Sequence, residues 1–173
     1  MNELGQDAIF PSRAGVVQDF AASELFDRTF DEGMELVEET AAYLDGAGRQ
    51  ESKLLGRAAA LAYAGESMKL TTRLMQVASW LLVQRAVREG AMPADDACED
   101  RYRLQPAHEG EPVSDEDAAQ MPAGLVALLT RTERLYDRIL HLDRRMYLEA
   151  AGEAHAPSPV MAQFDRLKTA FGG

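Results

Sequence analysis

One run of residues constrains the fold more than any other feature of the chain. From position 54 to position 86 an apolar or small residue recurs at alternating steps of four and three, without a break. This heptad spacing is typical of a helix that packs against other helices along most of its length. Gly90 and Pro93 follow as stop signals, and a helix over residues 51–89 is about 57 Å long. The run consists of Leu54, Ala58, Leu61, Gly65, Met68, Thr72, Met75, Ser79, Leu82 and Ala86.

Two further helices with one apolar face are predicted, one on each side of the long helix. The first follows Ser23, a candidate N-cap, and stops at the glycine-rich residues 45–48; the third follows Pro122. Alanine (28) and leucine (20) far outnumber isoleucine plus valine (11), which also favours helices over strands. We therefore predict an all-α fold, an antiparallel three-helix up-down-up bundle with a long central helix. The predicted core positions of the outer helices are Phe30, Met34, Val37, Ala41 and Leu44, and Leu125, Leu128, Thr132, Leu135, Ile139, Leu142 and Met146.

The segments outside these helices divide the chain. Residues 1–19 are predicted to be a flexible N-terminal segment, residues 20–150 the bundle domain, and residues 151–173 a flexible tail. Within the bundle, residues 91–122 carry nine acidic and two basic side chains and four prolines, so we interpret them as a solvated acidic loop with one helical turn near 94–103. The tail carries a short amphipathic helix, which is either ordered as a fourth helix or free to dock on another protein. Its apolar residues are Val160, Phe164, Leu167 and Phe171.

Charges on the outer helices support the arrangement. Acidic residues recur at one heptad position of the first helix, and arginines recur at another position of the third. In an up-down-up bundle these two helices are parallel, so the two rows face each other and form ion pairs. Alternatively, the arginines dock an acidic partner. The acidic row is Asp31, Glu38 and Asp45, and the arginine row is Arg131, Arg138 and Arg145. The cluster for docking an acidic partner is Arg131, Arg134, Arg138, Arg144 and Arg145.

The long helix has a second apolar row opposite the heptad run. A helix that is apolar on two sides needs a second covering surface. Either the tail or the N-terminal segment, with Ile9, Phe10, Val16, Val17 and Phe20, folds over this row, or the row meets its copy in a twofold dimer. We predict the homodimer. The predicted interface is Tyr63, Leu70, Leu74, Val77, Trp80 and Leu81, extended by Val83 and Val87.

No catalytic, cofactor or metal site is predicted. The single cysteine, Cys98, excludes an internal disulfide, and none of His108, His141 and His155 has a glutamate three residues before it, as a di-iron bundle site requires. There is no glycine-rich phosphate loop, no signal peptide and no bilayer-spanning stretch. The net charge of −11 argues against nucleic acid and anionic membranes as partners. The expected location is the cytoplasm.

Two alternatives to a protein-binding role remain open at this point. A helical sensor would bind an apolar small molecule between Met68, Met75 and Trp80. A DNA-associated regulator would use the arginines of the third helix, although the net charge disfavours it.

Two stretches resemble a known family. The sequence EGMELVEETAAYLDGAGRQESKLLGRAAALAYAGESMKLTTRLMQVASWLLVQRAVREG (32–90) and the sequence LTRTERLYDRILHLDR (129–144) resemble the RcdA family of alphaproteobacteria, regulators of CtrA degradation. The resemblance covers roughly residues 20–150. It implies a noncatalytic, dimeric helical adaptor for the protease ClpXP, in which ClpX is primed by a response-regulator-like protein. Such an adaptor tethers cell-cycle substrates directly or through a cyclic-di-GMP-binding adaptor.

Overall fold

The computed structural model of the chain describes residues 12–106 and 112–150, with only the helical backbone for the last three. Every regular element in these ranges is helical, which confirms the all-α class. A 3₁₀ turn over Asp100–Tyr102 lies between α5 and α6. The helices are α1 (Arg13–Ala21), α2 (Glu24–Asp45), α3 (Ala47–Ser52), α4 (Arg57–Arg88), α5 (Ala94–Ala97), α6 (Asp115–Ala119) and α7 (Ala123–Ala150).

The three predicted long helices are α2, α4 and α7, and they pack around one core. Ser23 caps α2 as predicted, because its Oγ accepts a hydrogen bond from the backbone N–H of Phe26 at 3.2 Å. The long central helix begins at Arg57, six residues later than predicted, since α3 occupies residues 47–52. It ends as predicted at Gly90, whose φ of +72° lets the N–H of Ala91 reach the carbonyl of Ala86.

The directions of the helices differ from the up-down-up prediction. Arg88 of α4 pairs with Asp27 of α2, and Arg138 of α7 pairs with Glu32 of α2, so α2 is antiparallel to both. Consequently α4 and α7 are parallel to each other. The physical reason is the connection between them, because residues 89–122 are numerous enough to return along the full length of α4, which is about 48 Å. The arrangement is therefore up-down-down.

This connection, hereafter the crossover, lies against the bundle. The prediction of a solvated loop is wrong for part of it, because Ala97 and Leu104 are buried and α5 packs against α1 and α4. The phenol O–H of Tyr147 donates to the carbonyl of Ala97 at 2.6 Å, and that of Tyr136 donates to the carbonyl of Gln105. The helical turn predicted near 94–103 corresponds to α5 and the 3₁₀ turn.

The N-terminal segment is also more ordered than predicted. Residues 13–19 belong to α1, and Val17 and Ala21 of this helix are fully buried. The ring of Phe20 lies 5.6 Å from that of Trp80, between centroids, so α1 covers part of α4. Of the two alternatives for the second apolar row, covering by the chain's own N-terminal segment is confirmed for Val17 and Phe20. Ile9 and Phe10 lie outside the described residues, as does the whole tail.

Candidate partner-docking surfaces

The heptad run of α4 is an exposed apolar row among the residues that the structure describes. Its large side chains point into solvent, with exposed fractions of 77% for Leu61, 72% for Met68, 65% for Met75 and 52% for Leu82. Leu54, just before the helix, is also exposed. We call this run, together with the small residues between its large ones, the outer strip. It consists of Leu54, Ala58, Leu61, Gly65, Met68, Thr72, Met75, Ser79, Leu82 and Ala86.

The row predicted as the dimer interface faces the core of the bundle. All six of its residues are buried within a single chain, so none of them is available at the surface and this assignment is wrong. The reason is bulk. The buried row carries the larger side chains, and Gly33 of α2 makes room for Leu81, since a Cβ at Gly33 would lie 2.5 Å from Leu81 Cδ1. The six residues are Tyr63, Leu70, Leu74, Val77, Trp80 and Leu81.

The proposed small-molecule site does not form as predicted. Trp80 is 2% exposed in the core, whereas Met68 and Met75 lie on the outer strip, so the three side chains do not line one interior cavity. An open cleft of about 1110 Å³ lies between α4 and the crossover. Leu61 and Gly65 of the outer strip form one side of it, and Val113 lies on the other.

Some arginines of α7 form ion pairs with α2, and others are exposed to solvent. Arg131 pairs with Glu39 at 2.5 Å and Arg138 pairs with Glu32, so the predicted pairing with the first long helix occurs. The acidic partners are wrong, because the helices are antiparallel: the predicted acids Asp31, Glu38 and Asp45 are exposed and make no ion pair in the described part of the chain. Arg145 interacts with other groups of the chain. Arg134 and Arg144 are exposed.

The ion pairs between α2 and α7 should contribute little stability. Both groups of the Arg138–Glu32 pair are about half exposed, and water screens such pairs. We expect Arg138→Gln to lower the free energy of unfolding by less than about 1 kcal/mol. Urea denaturation followed by circular dichroism measures this, with Arg134→Gln as the control for loss of an arginine without a described ion pair. A loss several times larger would show that the pair is a principal tie between the helices.

A buried carboxylate lies where α4, α7 and the crossover meet, and sequence analysis did not single it out. Asp143 is 1% exposed; its Oδ1 accepts a hydrogen bond from Trp80 Nε1 at 2.9 Å, and its Oδ2 lies 3.6 Å from Arg103 Nε. Burial raises the pKa of the Asp143 carboxyl, against the opposing effects of Trp80, Arg103 and the backbone N–H of Leu104. The spacing could have revealed it, because Ile139, Asp143 and Met146 share one face of α7.

The described residues were also searched for a metal centre, a reactive cysteine and a membrane-spanning helix. No group of three or more His, Cys, Asp or Glu side chains there is placed to hold a metal ion. Cys98 is half-buried, its Sγ–H donates to the carbonyl of Ala94 at 3.2 Å, and burial raises the pKa of its thiol. No helix in the described ranges is both long and apolar enough to span a bilayer. Phe164, Leu167 and Phe171, predicted as docking residues, lie outside these ranges.

Taken together, the fold and its surfaces define a helical-bundle protein whose most prominent feature is an exposed apolar strip on its central helix. Comparison with known protein families shows the family to which it belongs. Residues 17–171 match the model of the family described as "Protein of unknown function (DUF1465)", and the chain belongs to this family. It is similar to the crystal structure of RcdA from Caulobacter crescentus CB15, with 65% sequence identity and a TM-score of 0.62. The match covers 76% of this chain and 98% of that one. A search of curated protein sequences gives no match.

Proposed function

We propose that this protein is a noncatalytic adaptor in regulated proteolysis. It would tether CtrA-type cell-cycle regulators to ClpXP primed by a response-regulator-type factor. The observation that carries the proposal is the 65% identity to RcdA over nearly the whole of that solved chain, together with the resemblance of residues 32–90 and 129–144 to the RcdA family. A bundle with large uncovered surfaces suits a role that consists of contacts alone.

An adaptor of this kind accelerates degradation by raising the concentration of cargo near the protease, without any new chemistry. That requires at least two surfaces that can be occupied at once. The outer strip and the outward arginines of α7, including Arg134 and Arg144, lie on different helices and can serve different partners. A cyclic-di-GMP-binding adaptor is a candidate for one of them. In this scheme Phe164, Leu167 and Phe171 of the tail dock on a partner, and the protein acts in the cytoplasm, with a cell pole as a candidate place.

We further propose that the outer strip is the interface of a homodimer. Its large residues all occupy one heptad position, and the small residues Ala58, Gly65, Thr72 and Ser79 occupy the other. In a parallel pair, large residues would face large ones and small would face small. In an antiparallel pair the two positions face each other, so each large side chain meets a small one.

The antiparallel register follows from the sequence numbers. With a twofold axis near Leu70, each residue faces the residue of the partner for which the two numbers add to 140. This places Leu61 against Ser79, Met68 against Thr72, and Met75 against Gly65. Such self-complementarity along about 31 Å of helix, from residue 61 to residue 82, is what a twofold interface requires. Full burial of each large side chain is worth about 1.5–3 kcal/mol relative to exposure.

A reconstituted degradation assay tests the adaptor role. It contains ClpXP, a response-regulator-type priming factor and a CtrA-type cargo, and it compares cargo turnover with and without this protein. We expect turnover to rise at least severalfold when the protein is present, and to rise less when cargo is already saturating, because tethering raises local concentration. Unchanged turnover at every cargo concentration would contradict the proposal.

A further inference from the structure

The middle of the crossover lies against the bundle as a strap: its first part, α5, packs against α1 and α4, and residues 100–105 lie in the groove between the parallel helices α4 and α7. We call residues 94–105 the strap. Of its side chains only Ala97 and Leu104 are buried, and the rest are partly or fully exposed. An element with so few buried apolar contacts opens more readily than the helices beneath it. Beneath it α4 and α7 are also joined directly, since Leu70, Val77 and Leu135 pack in the core and Arg73 of α4 bonds Glu133 of α7 at 2.6 Å.

Two tyrosines of α7 hold the ends of the strap by its backbone, and one carboxylate holds its middle. Tyr147 bonds the carbonyl of Ala97 and Tyr136 that of Gln105. Between these anchors, Leu104 is 5% exposed, and the guanidinium of Arg103 lies 3.6 Å from Asp143 Oδ2 and 4.5 Å from the ring centroid of Tyr147. The groove therefore offers an apolar pocket beside a buried carboxyl group and an aromatic face.

We propose that this groove is a docking site for a partner segment that carries a cation followed by a large aliphatic residue. In the isolated chain Arg103 and Leu104 of the strap occupy it. The buried carboxylate selects the cation, because an unpaired charge in this position is costly. The tyrosine face adds a cation–π contact, which favours arginine. The inference rests on the proposed adaptor function only in that the incoming segment would belong to a cargo or a second adaptor.

The strap itself supplies the probe. A fluorescein-labelled peptide with the sequence of residues 99–106, EDRYRLQP, is titrated against the full chain and against the variant Arg103→Ala/Leu104→Ala. This double variant removes from the groove the two side chains that occupy it. We expect the double variant to bind the peptide at least tenfold more tightly than the unaltered chain, whose own strap competes. A peptide with alanine in place of the same arginine and leucine should lose at least tenfold in affinity for the double variant.

The matched control is Arg101→Ala. Arg101 pairs with Glu99 inside the strap and is largely exposed, so its loss leaves the groove occupied. Equal binding by the unaltered chain and a folded double variant would overturn the proposal, as would tight binding by the control. Hydrogen exchange of the unaltered chain tests it independently of any variant. Strap amides should exchange at least a hundredfold faster than those near Leu70 and Leu135, and coincident exchange would overturn it. Neither measurement involves a protease, so failure of this docking proposal can be distinguished from failure of the adaptor role.

Discussion

The variant Met68→Glu/Met75→Glu should be a folded monomer at concentrations where the unaltered chain is a dimer. Both side chains are exposed in the single chain, at 72% and 65%, so charges there cost the monomer fold little. In the antiparallel dimer they would be enclosed against Thr72 and Gly65 of the other copy. Burial of an unpaired carboxylate opposes association strongly, and we expect the dimer dissociation constant to rise by a factor of at least about 100, which is about 2.8 kcal/mol.

Light scattering coupled to size exclusion measures the mass, and circular dichroism checks the fold. Glu35→Lys on the exposed face of α2 is the control and should remain dimeric. Leu81→Glu provides the contrast: because Leu81 is fully buried under Gly33, this variant should unfold or aggregate instead of yielding a folded monomer. An unchanged mass for the double variant would contradict the outer strip as the interface.

The register can be tested separately by crosslinking. In a Cys98→Ser background, the pair Gly65→Cys and Met75→Cys should form two intermolecular disulfides, since the two positions face each other in the antiparallel register. Each single replacement should not crosslink, because the two copies of residue 65 would be about 15 Å apart along the axis. Crosslinking by each single variant would contradict this register and indicate parallel helices, in which each residue faces its own copy.

The sequence predicts the helices well because the decisive cues are local. The Ser23 cap, the stop at Gly90 and the entry after Pro122 each act within a few residues, and all three appear in the structure. The direction of α7 is not local. It depends on whether the crossover returns along α4. That path depends in turn on the burial of Ala97 and Leu104 against helices that are distant in sequence.

The surfaces were predicted less well, for a related reason. Heptad spacing reveals that α4 is apolar on two sides but not which side faces inward. The inward side is chosen by the neighbours: Gly33 admits Leu81, and Asp143 bonds Trp80. Side-chain size was the available cue, since the buried row carries Tyr63 and Trp80 while the outer strip alternates large residues with Ala, Gly, Thr and Ser. A regular period with small side chains is as typical of an interface between chains as of an internal core.

Alanine at Gly48 or Gly124 should destabilise the fold, although alanine in place of a helical glycine ordinarily stabilises, because both glycines lie against the ring of Tyr43. A Cβ at Gly48 would lie 2.6 Å from Tyr43 Cε1 and 2.7 Å from the Tyr63 hydroxyl, and a Cβ at Gly124 would lie 2.6 Å from Tyr43 Cε2. The ring cannot move away from one without approaching the other. Its hydroxyl is also tied to Glu51 by a 2.7 Å hydrogen bond. Overpacking of this kind costs about 1–3 kcal/mol.

We expect each single variant to lose about 1–3 kcal/mol of unfolding free energy. The double variant should lose more than the sum, because a ring displaced by one Cβ is moved towards the other. Gly65→Ala is the matched control: a Cβ there has no neighbour within 4 Å, so alanine should stabilise the monomer by up to about 1 kcal/mol through helix propensity. Urea denaturation, at a protein concentration that keeps every variant monomeric, measures the free energy of unfolding of all four variants. Strict additivity of the two losses would mean that the glycines act independently, and that the Tyr43 ring does not join α2, α3 and α7 at this end of the bundle.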